Sequence, residues 1–217
     1  MPQHTEPLQN KVDPWGQLHA VRMRGSRMGN RGILHDEYDQ IVRPWKTKSW
    51  VSCRLDTTFQ KRSPFSPGTY SELFFLDEAT AYAAGHRPCR TCQREQHDRF
   101  NAAWTAANAP ELLAATGQTQ LPIREIDAAL HAERVNPDKN KRTHPARLCD
   151  LPVGAMFAFH GAALLVGPAG LKSWSFQGYG PTEALAPDTP VALLTPPSIV
   201  AAMQHGLSVE LHPSAHL

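Results

Sequence analysis

Short apolar segments separated by polar turns make up the first half of the chain. They lie at residues 33–34, 41–42, 50–55 and 73–75, with Asp, Pro, Gly and Lys between them. Such brief segments are typical of strands in a small antiparallel meander. Residues 1–30 are instead polar and rich in Gly, Pro and Arg, so they predict an irregular N-terminal arm.

Helical patterns follow these predicted strands. Asp77 is a favourable N-cap residue, and Gly85, about two turns later, suits the left-handed position that follows a helix. A second helix is predicted from about residue 92 to residue 107. A third places Ile126 and Leu130 on one face, as the core-facing side of an amphipathic helix requires.

The last third of the chain has a different pattern. Residues 156–159, 163–166 and 171–176 predict three strands joined by glycine-containing turns, and residues 191–194 predict a fourth. A helix that ends at Gly206 follows them. The whole pattern predicts an α+β fold.

Three parts of the chain are expected from these patterns. Residues 1–30 form the irregular arm, and residues 31–150 form a small antiparallel β-meander with helices. Residues 151–217 form a small β-rich C-terminal unit. A chain of 217 residues is long enough for one large domain or two small ones.

Charge is unevenly distributed along the chain. The formal net charge is only +2, but residues 20–62 contain ten Lys or Arg against four Asp or Glu. Beyond residue 150 the only Lys or Arg is Lys172. A basic N-terminal half is typical of a nucleic-acid-binding protein, because Lys and Arg neutralise phosphates. A solvated basic surface without a partner has the same composition.

Compartment and redox state are also suggested by the sequence. No run of 18 apolar residues occurs, and the first residues lack the basic and then apolar order of a signal peptide. We therefore expect a cytoplasmic protein with no membrane partner. In that reducing compartment, a Cys-x-x-Cys pair indicates metal binding or redox chemistry. A redox pair of the thioredoxin type follows a strand, whereas Cys89 and Cys92 follow a predicted helix.

The Cys-x-x-Cys pair has the spacing of half a zinc site. Two cysteines separated by two residues can direct both thiolates to one ion at about 2.3 Å. Cys89 and Cys92 follow Gly85 and Pro88, which permit the necessary turn. The predicted cofactor is therefore Zn²⁺.

Residues 50–93 resemble the Ada-type metal-binding domain, the N-terminal module of bacterial DNA-repair proteins. The similarity is carried by Ser52-Cys53-Arg54 and by the segment Ala84-Gly85-His86-Arg87-Pro88-Cys89-Arg90-Thr91-Cys92. It implies that Cys53, Cys89 and Cys92 ligate zinc, that Cys53 corresponds to the methyl-accepting cysteine, and that DNA is the partner. The whole chain also looks like bacterial proteins that join such a module to further domains.

The chain departs from this family at one ligand. The family has a second cysteine four residues after the first, where this chain has Thr57, which is not a usual zinc ligand. His35 is our first prediction for the fourth ligand, because a hairpin can bring it beside Cys53, and His97 is the second. If no side chain completes the site, water does, and the zinc is then catalytic.

Two enzymatic interpretations compete with a structural zinc site. Zinc-dependent nucleobase deaminases combine His-x-Glu with Pro-Cys-x-x-Cys, and His131 and Glu133 supply the first element, although in reversed order. A phosphodiester-processing enzyme needs a base and cations, which His131, Glu133, His144 and the adjoining Lys141-Arg142 offer. The plainer interpretation is the polar face of a helix followed by a basic loop.

The sequence therefore predicts a zinc-binding protein that binds nucleic acid, DNA more than RNA, in repair or processing. A structural protein with a closed zinc site and an exposed apolar patch is a further alternative. The candidate phosphate contacts are Arg43, Lys46, Lys48, Arg54, Arg87 and Arg90.

Overall fold

The computed structural model describes residues 6–55 and 63–217, and it confirms the α+β fold. The described residues form five helices and two six-stranded sheets. The helices are α1 (Glu78–Ala83), α2 (Arg94–Asn108), α3 (Pro110–Thr116), α4 (Ile123–Arg134) and α5 (Pro197–Gln204). Two 3₁₀ turns, Leu148–Asp150 and Pro213–His216, complete the helical elements.

The first sheet contains both parallel and antiparallel pairs. Its strands are β1 (Lys11–Val12), β2 (Leu18–His19), β3 (Arg27–Asn30), β4 (Val51–Arg54), β5 (Leu73–Phe75) and β6 (Arg87–Pro88). They lie in the order β2-β1-β5-β3-β4-β6. The β1–β5 and β4–β6 pairs are parallel, and the other neighbours are antiparallel.

The predicted irregular arm contributes β1, β2 and β3 to this sheet. These strands have two to four residues, too few to show an alternating pattern in the sequence. The glycine content of this segment suggested irregular structure, but Gly29 lies within β3. A Cβ at Gly29 would lie 2.2 Å from the carbonyl oxygen of Val51. Glycine is needed where β3 and β4 approach. The apolar segments at residues 33–34 and 41–42 form no strand, and only an isolated bridge joins His35 to Ile41.

The start and end of α1 follow the predicted chemistry. Asp77 is the N-cap, and its side chain accepts a hydrogen bond from the Thr80 backbone N–H at 2.9 Å. Gly85, just beyond the helix, has a φ of 84°, a conformation that favours glycine.

The second sheet is antiparallel throughout. Its strands are β7 (His144–Arg147), β8 (Met156–Phe159), β9 (Ala162–Gly167), β10 (Gly170–Ser175), β11 (Gly178–Glu183) and β12 (Pro190–Leu193). They lie in the order β11-β10-β9-β8-β12-β7. Strand β7 pairs with β12 across the boundary expected at residue 150, so residues 151–217 do not form the sheet alone.

Helices from the middle of the chain pack against the second sheet. Ile126 and Leu130 of α4 are fully buried in one cluster with Phe157, Leu164 and Ile199. Among the described residues, no helix is long and apolar enough to cross a membrane.

Polar contacts also join the first half of the chain to the second sheet. Asp77 accepts a hydrogen bond from the Tyr179 hydroxyl at 2.9 Å, and the Trp174 indole N–H donates to Thr80 Oγ1 at 3.0 Å. The first half of the chain and the second sheet therefore pack together through α1.

Candidate metal centre

Three cysteine sulfurs meet where β4, β6 and α2 come together. The Sγ atoms of Cys53, Cys89 and Cys92 all lie within 4.8 Å of one another. The strand register explains the meeting, because parallel pairing of Ser52 with Pro88 puts the next residues, Cys53 and Cys89, side by side. The Cys89 N–H continues this ladder by donating to the Ser52 carbonyl at 2.8 Å.

The cluster suits a thiophilic ion. Three sulfurs at 2.3 Å from one tetrahedral zinc are about 3.8 Å apart, which is compatible with three sulfurs that all lie within 4.8 Å of one another. The backbone N–H groups of Cys92 and Thr91 also donate to the Cys89 sulfur. Such donors stabilise thiolate charge and orient a ligand. The residues present therefore fit Zn²⁺, which soft thiolate ligands favour.

Proton sharing within the cluster reflects the crowding of its sulfurs. A hydrogen bond from Cys53 lowers the pKa of Cys89, whereas that same contact, together with burial, raises the pKa of Cys53. Cys53 is only 3% exposed, while Cys89 and Cys92 are half-buried. The cluster therefore lies at the surface, with Cys53 at its inner side.

The prediction that His35 completes the centre is wrong for this structure. His35 is absent from the ligand cluster, its Nδ1 lies 2.6 Å from Ser71 Oγ, and its ring stacks on Phe65 at 4.7 Å. The register gives the reason: Met28 on β3 faces Cys53, and the chain leaves β3 at the other end. Residues after Asn30 therefore run away from the cysteines.

The second predicted ligand, His97, and the remaining cysteine, Cys149, also lie outside the cluster. His97 is buried on α2, and its Nδ1 lies 3.1 Å from the Pro88 carbonyl, but it is not part of the cluster. Cys149 is exposed and lies outside it as well. Thr57 lies outside the described residues. Within residues 6–55 and 63–217, the cluster has three protein ligands.

The deaminase arrangement is not formed. His131 does not join Cys89 and Cys92; its ring packs edge-on against Trp45 at 4.8 Å. Burial, then the charges of Arg134 and Lys48, lower the pKa of His131 to about 4. Glu133 accepts hydrogen bonds from the backbone N–H and hydroxyl of Ser198. The cysteines are thus separate from both residues, and this interpretation is wrong.

The cluster expected of a phosphodiester-processing enzyme is also dispersed. His144 Nε2 lies 2.8 Å from the Glu133 carbonyl oxygen, so it joins the end of α4 to β7. Arg142 donates to Asn136 Oδ1 and to the Ala132 carbonyl. These polar groups close the loop after α4. Of the proposed set, Lys141 alone lines a large cavity.

The predicted phosphate contacts divide into exposed and buried residues. Arg87 is buried, and its guanidinium donates to both carboxylate oxygens of Asp127, each at 2.8 Å. It joins β6 to α4, so its assignment as a phosphate contact is wrong. The remaining five are exposed: Arg43, Lys46, Lys48, Arg54 and Arg90.

One exposed arginine beside the cysteines is missing from the sequence prediction. Arg94 is the first residue of α2, two positions after Cys92, and its side chain is exposed. The predicted helix began at residue 92, so the prediction did not identify Arg94 as the first residue of the helix. Arg90 lies between the two cysteines. Together they present positive charge next to the candidate metal.

Comparison with known proteins finds no matching family profile, no matching curated protein and no matching solved structure. The function of the centre is therefore argued from its geometry.

Proposed function

We propose that this protein binds one zinc ion through Cys53, Cys89 and Cys92 and binds nucleic acid, DNA more than RNA, with the basic surface beside the ion. A role in DNA repair or processing follows from the similarity to the Ada-type metal-binding domain. The observation that carries the proposal is the convergence of three sulfurs, from residues far apart in sequence, within 4.8 Å. Cysteines brought together in this way are the ordinary ligands of a structural zinc.

The zinc has a structural role in this proposal. It links the end of β4, the residue after β6 and the turn before α2, and so adds to the β4–β6 pairing and to the hydrogen bond from Gln93 to the Ser52 carbonyl. With three protein ligands among the described residues, water occupies the fourth position in this proposal. Methyl transfer to Cys53 is not proposed, because its 3% exposure limits access for a bulky DNA substrate.

Support for nucleic-acid binding comes from charge and exposure. Arg90 lies between the two cysteines and Arg94 follows them, and both are exposed, as are Lys46 and Lys48 on the loop before β4. Long cationic side chains that extend into solvent can neutralise phosphates at low desolvation cost. The metal would hold Arg90 in a fixed loop and so present it in one orientation.

Zinc content tests the metal site. Purified wild-type protein is expected to contain one zinc per chain by mass spectrometry of the metal, and Cys53→Ser, Cys89→Ser and Cys92→Ser are each expected to lose it. His35→Ala serves as the matched control and should keep the ion, because His35 lies outside the cluster. Zinc retained in all three serine variants would refute the site.

Salt-dependent binding tests the nucleic-acid surface. Fluorescence anisotropy with labelled single-stranded and duplex DNA, and with RNA, should give affinities that fall steeply with salt. The double variant Arg90→Ala/Arg94→Ala should weaken binding and reduce the slope of log K against log salt by about one per cation removed. Arg147→Ala removes an exposed arginine from the second sheet and should change neither value. Affinity independent of salt would contradict the proposal while leaving the zinc site intact.

A further inference from the structure

A second site lies in a cavity of about 600 Å³ between the first sheet and the loop after α4. Trp50 is buried at its base, and the guanidinium carbons of Arg31 and Arg134 stack on the Trp50 ring at 4.1 and 4.0 Å. Lys141 and Trp45 also line the cavity. We call this cavity the Trp50 pocket.

The pocket concentrates buried positive charge. Arg31 and Arg134 are 2% and 1% exposed. Their guanidinium groups donate mainly to main-chain carbonyls: Arg31 to Gly16, and Arg134 to Gly85 and Lys48. The Lys141 ammonium likewise donates to the Ala83 carbonyl. Carbonyl dipoles offset part of the desolvation cost of three cations but none of their net charge.

Acidic groups balance these cations only in part. The charge of Asp127 acts on Arg134, but that carboxylate is already paired with Arg87. Asp13 is the carboxylate whose charge acts on Arg31 and Lys141, but its oxygens already accept from the Gln17 N–H and lie 2.8 Å from His19 Nε2. Asp138 lies at the exposed rim of the pocket. Burial, then mutual repulsion, lowers the pKa of Lys141 to about 7, and burial lowers that of Arg31 to about 9.

Several buried donors of this group have no acceptor. They are Arg31 Nη2, Arg134 Nε and the indole Nε1 of Trp45. A buried donor without a partner is costly, and the protein itself supplies no acceptor for these three. Buried cations, vacant donors and a cavity therefore occur in the same place.

We propose that the Trp50 pocket binds a nucleoside monophosphate, either free or at the end of a strand. The phosphate lies against Arg31, Arg134 and Lys141, and the base lies on the apolar wall that contains Trp45 and Ile41. A volume of 600 Å³ is within the ordinary range for small-molecule sites. Guanidinium groups bind phosphate oxygens with strong charge-assisted hydrogen bonds, and indoles stack on any base.

This site goes beyond the proposed nucleic-acid surface and is independent of the metal. Its cationic and aromatic residues come from the position after β3, the loops at 41–50 and 138–141, and the end of α4, and none is a cysteine ligand. If the Arg90 surface does not bind DNA, the proposal for the Trp50 pocket is unaffected. If the Trp50 pocket does not bind a nucleotide, the proposal for the DNA-binding surface is unaffected.

Calorimetric titration with adenosine 5′-monophosphate tests the site. The full-length wild-type protein is expected to bind this probe at least about tenfold more tightly than either adenosine or inorganic phosphate, because only the nucleotide engages both walls. Lys141→Met should weaken binding by about tenfold through loss of one charged contact. Lys172→Met is the matched control, since the Lys172 ammonium likewise donates to a main-chain oxygen, that of Leu217, and lies outside the pocket.

A second variant, at an exposed residue, tests the pocket independently of Lys141. Arg43 lines the pocket at its exposed edge, so Arg43→Ala should fold normally and bind the nucleotide more weakly. Arg147→Ala should leave the affinity for the nucleotide unchanged. A 5′-phosphorylated oligonucleotide that displaces the nucleotide identifies a strand end as the ligand, and failure to displace identifies the free nucleotide. Adenosine binding as tightly as its monophosphate, or full affinity in both pocket variants, would overturn the proposal.

Discussion

Three arginines of the basic N-terminal half show how differently one residue type can be used. Arg90 extends into solvent between two cysteines, Arg87 is buried against the carboxylate of Asp127, and Arg31 is buried against the Trp50 ring with main-chain carbonyls as its acceptors. Only the first suits contact with a large polyanion such as DNA. The second is a structural ion pair, and the third suits a small anion that can enter a cavity.

Lys141 should make stability depend on pH. Its pKa falls from 10.5 to about 7 in the folded protein, through burial and then repulsion by Arg134 and Arg31, with Asp13 opposing the shift. Below pH 7 both the folded and the unfolded states carry the proton, so the cost of the buried charge is fully present. Above pH 7 the folded state releases the proton before the unfolded state does, and that cost declines toward pH 10.5.

Comparison with Lys141→Met isolates this effect from other titrating groups. At pH 6 the methionine variant should be more stable than wild type, and by pH 9 the difference should shrink by about 3 kcal/mol. Urea unfolding of both proteins at the two pH values measures it. If the difference in free energy of unfolding between the two proteins is the same at pH 6 and pH 9, the pKa of Lys141 is not lowered in the folded protein.

At the scale of elements, the Arg87–Asp127 pair joins β6 to α4. Both residues are buried, and the pair has two hydrogen bonds of 2.8 Å. Asp127→Ala leaves a buried guanidinium without its counter-charge and should destabilise the protein by about 3 kcal/mol. Urea unfolding at pH 7 measures the change.

A double variant separates the pair from its environment. Arg87→Met/Asp127→Leu removes both charges, so it should recover most of the stability lost by Asp127→Ala. Glu125→Ala, an exposed carboxylate on the same helix, should cost less than about 0.5 kcal/mol. Equal losses for Asp127→Ala and Glu125→Ala would show that the pair contributes nothing.

Elements with a cap or a long pattern could be predicted, and short ones could not. Helix α1 has both Asp77 and Gly85, and β8, β9 and β10 are apolar segments with glycine turns, so they agree with the predictions. Strands of two residues such as β1 and β6 exist only because a neighbouring strand supplies hydrogen bonds. No local signal marks such strands, which is why the arm at residues 1–30 was predicted to be irregular.

At the scale of the whole molecule, the candidate zinc site lies at one edge of a body with a large core elsewhere. The core of α2, α4, α5 and the second sheet contains no cysteine ligand. Metal removal should therefore lower stability without unfolding the chain, unlike the behaviour of small zinc fingers, which need the metal to fold.

Chelation tests this expectation. Removal of zinc from wild type should lower the free energy of unfolding by about 4 kcal/mol when free zinc had been at 1,000 times its Kd. Amide exchange should increase at β4, β6 and the start of α2, while the second sheet stays protected. Cys89→Ser should not respond to the chelator. Loss of protection in the second sheet would show that the ion supports the whole fold.

The sequence alone determined the chemistry that is local in the chain. The spacing of Cys89 and Cys92, the capping of α1 and the apolar faces of α4 and β9 depend on residues a few positions apart, and short-range geometry is enough to predict them. The candidate zinc ligands, including Cys53, could be named because a family resemblance supplied the missing distance information.

Tertiary structure decided everything that depends on which distant segments meet. The β3–β4 register carries His35 away from the cysteines, and α4 supplies the counter-charge of Arg87. The stacking of Arg31 and Arg134 on Trp50 joins residues about a hundred positions apart. The sequence contains the same arginine whether its side chain is exposed, paired or enclosed, and only packing distinguishes these states. Packing matters because burial determines both the cost of a charge and the partner that the charge needs.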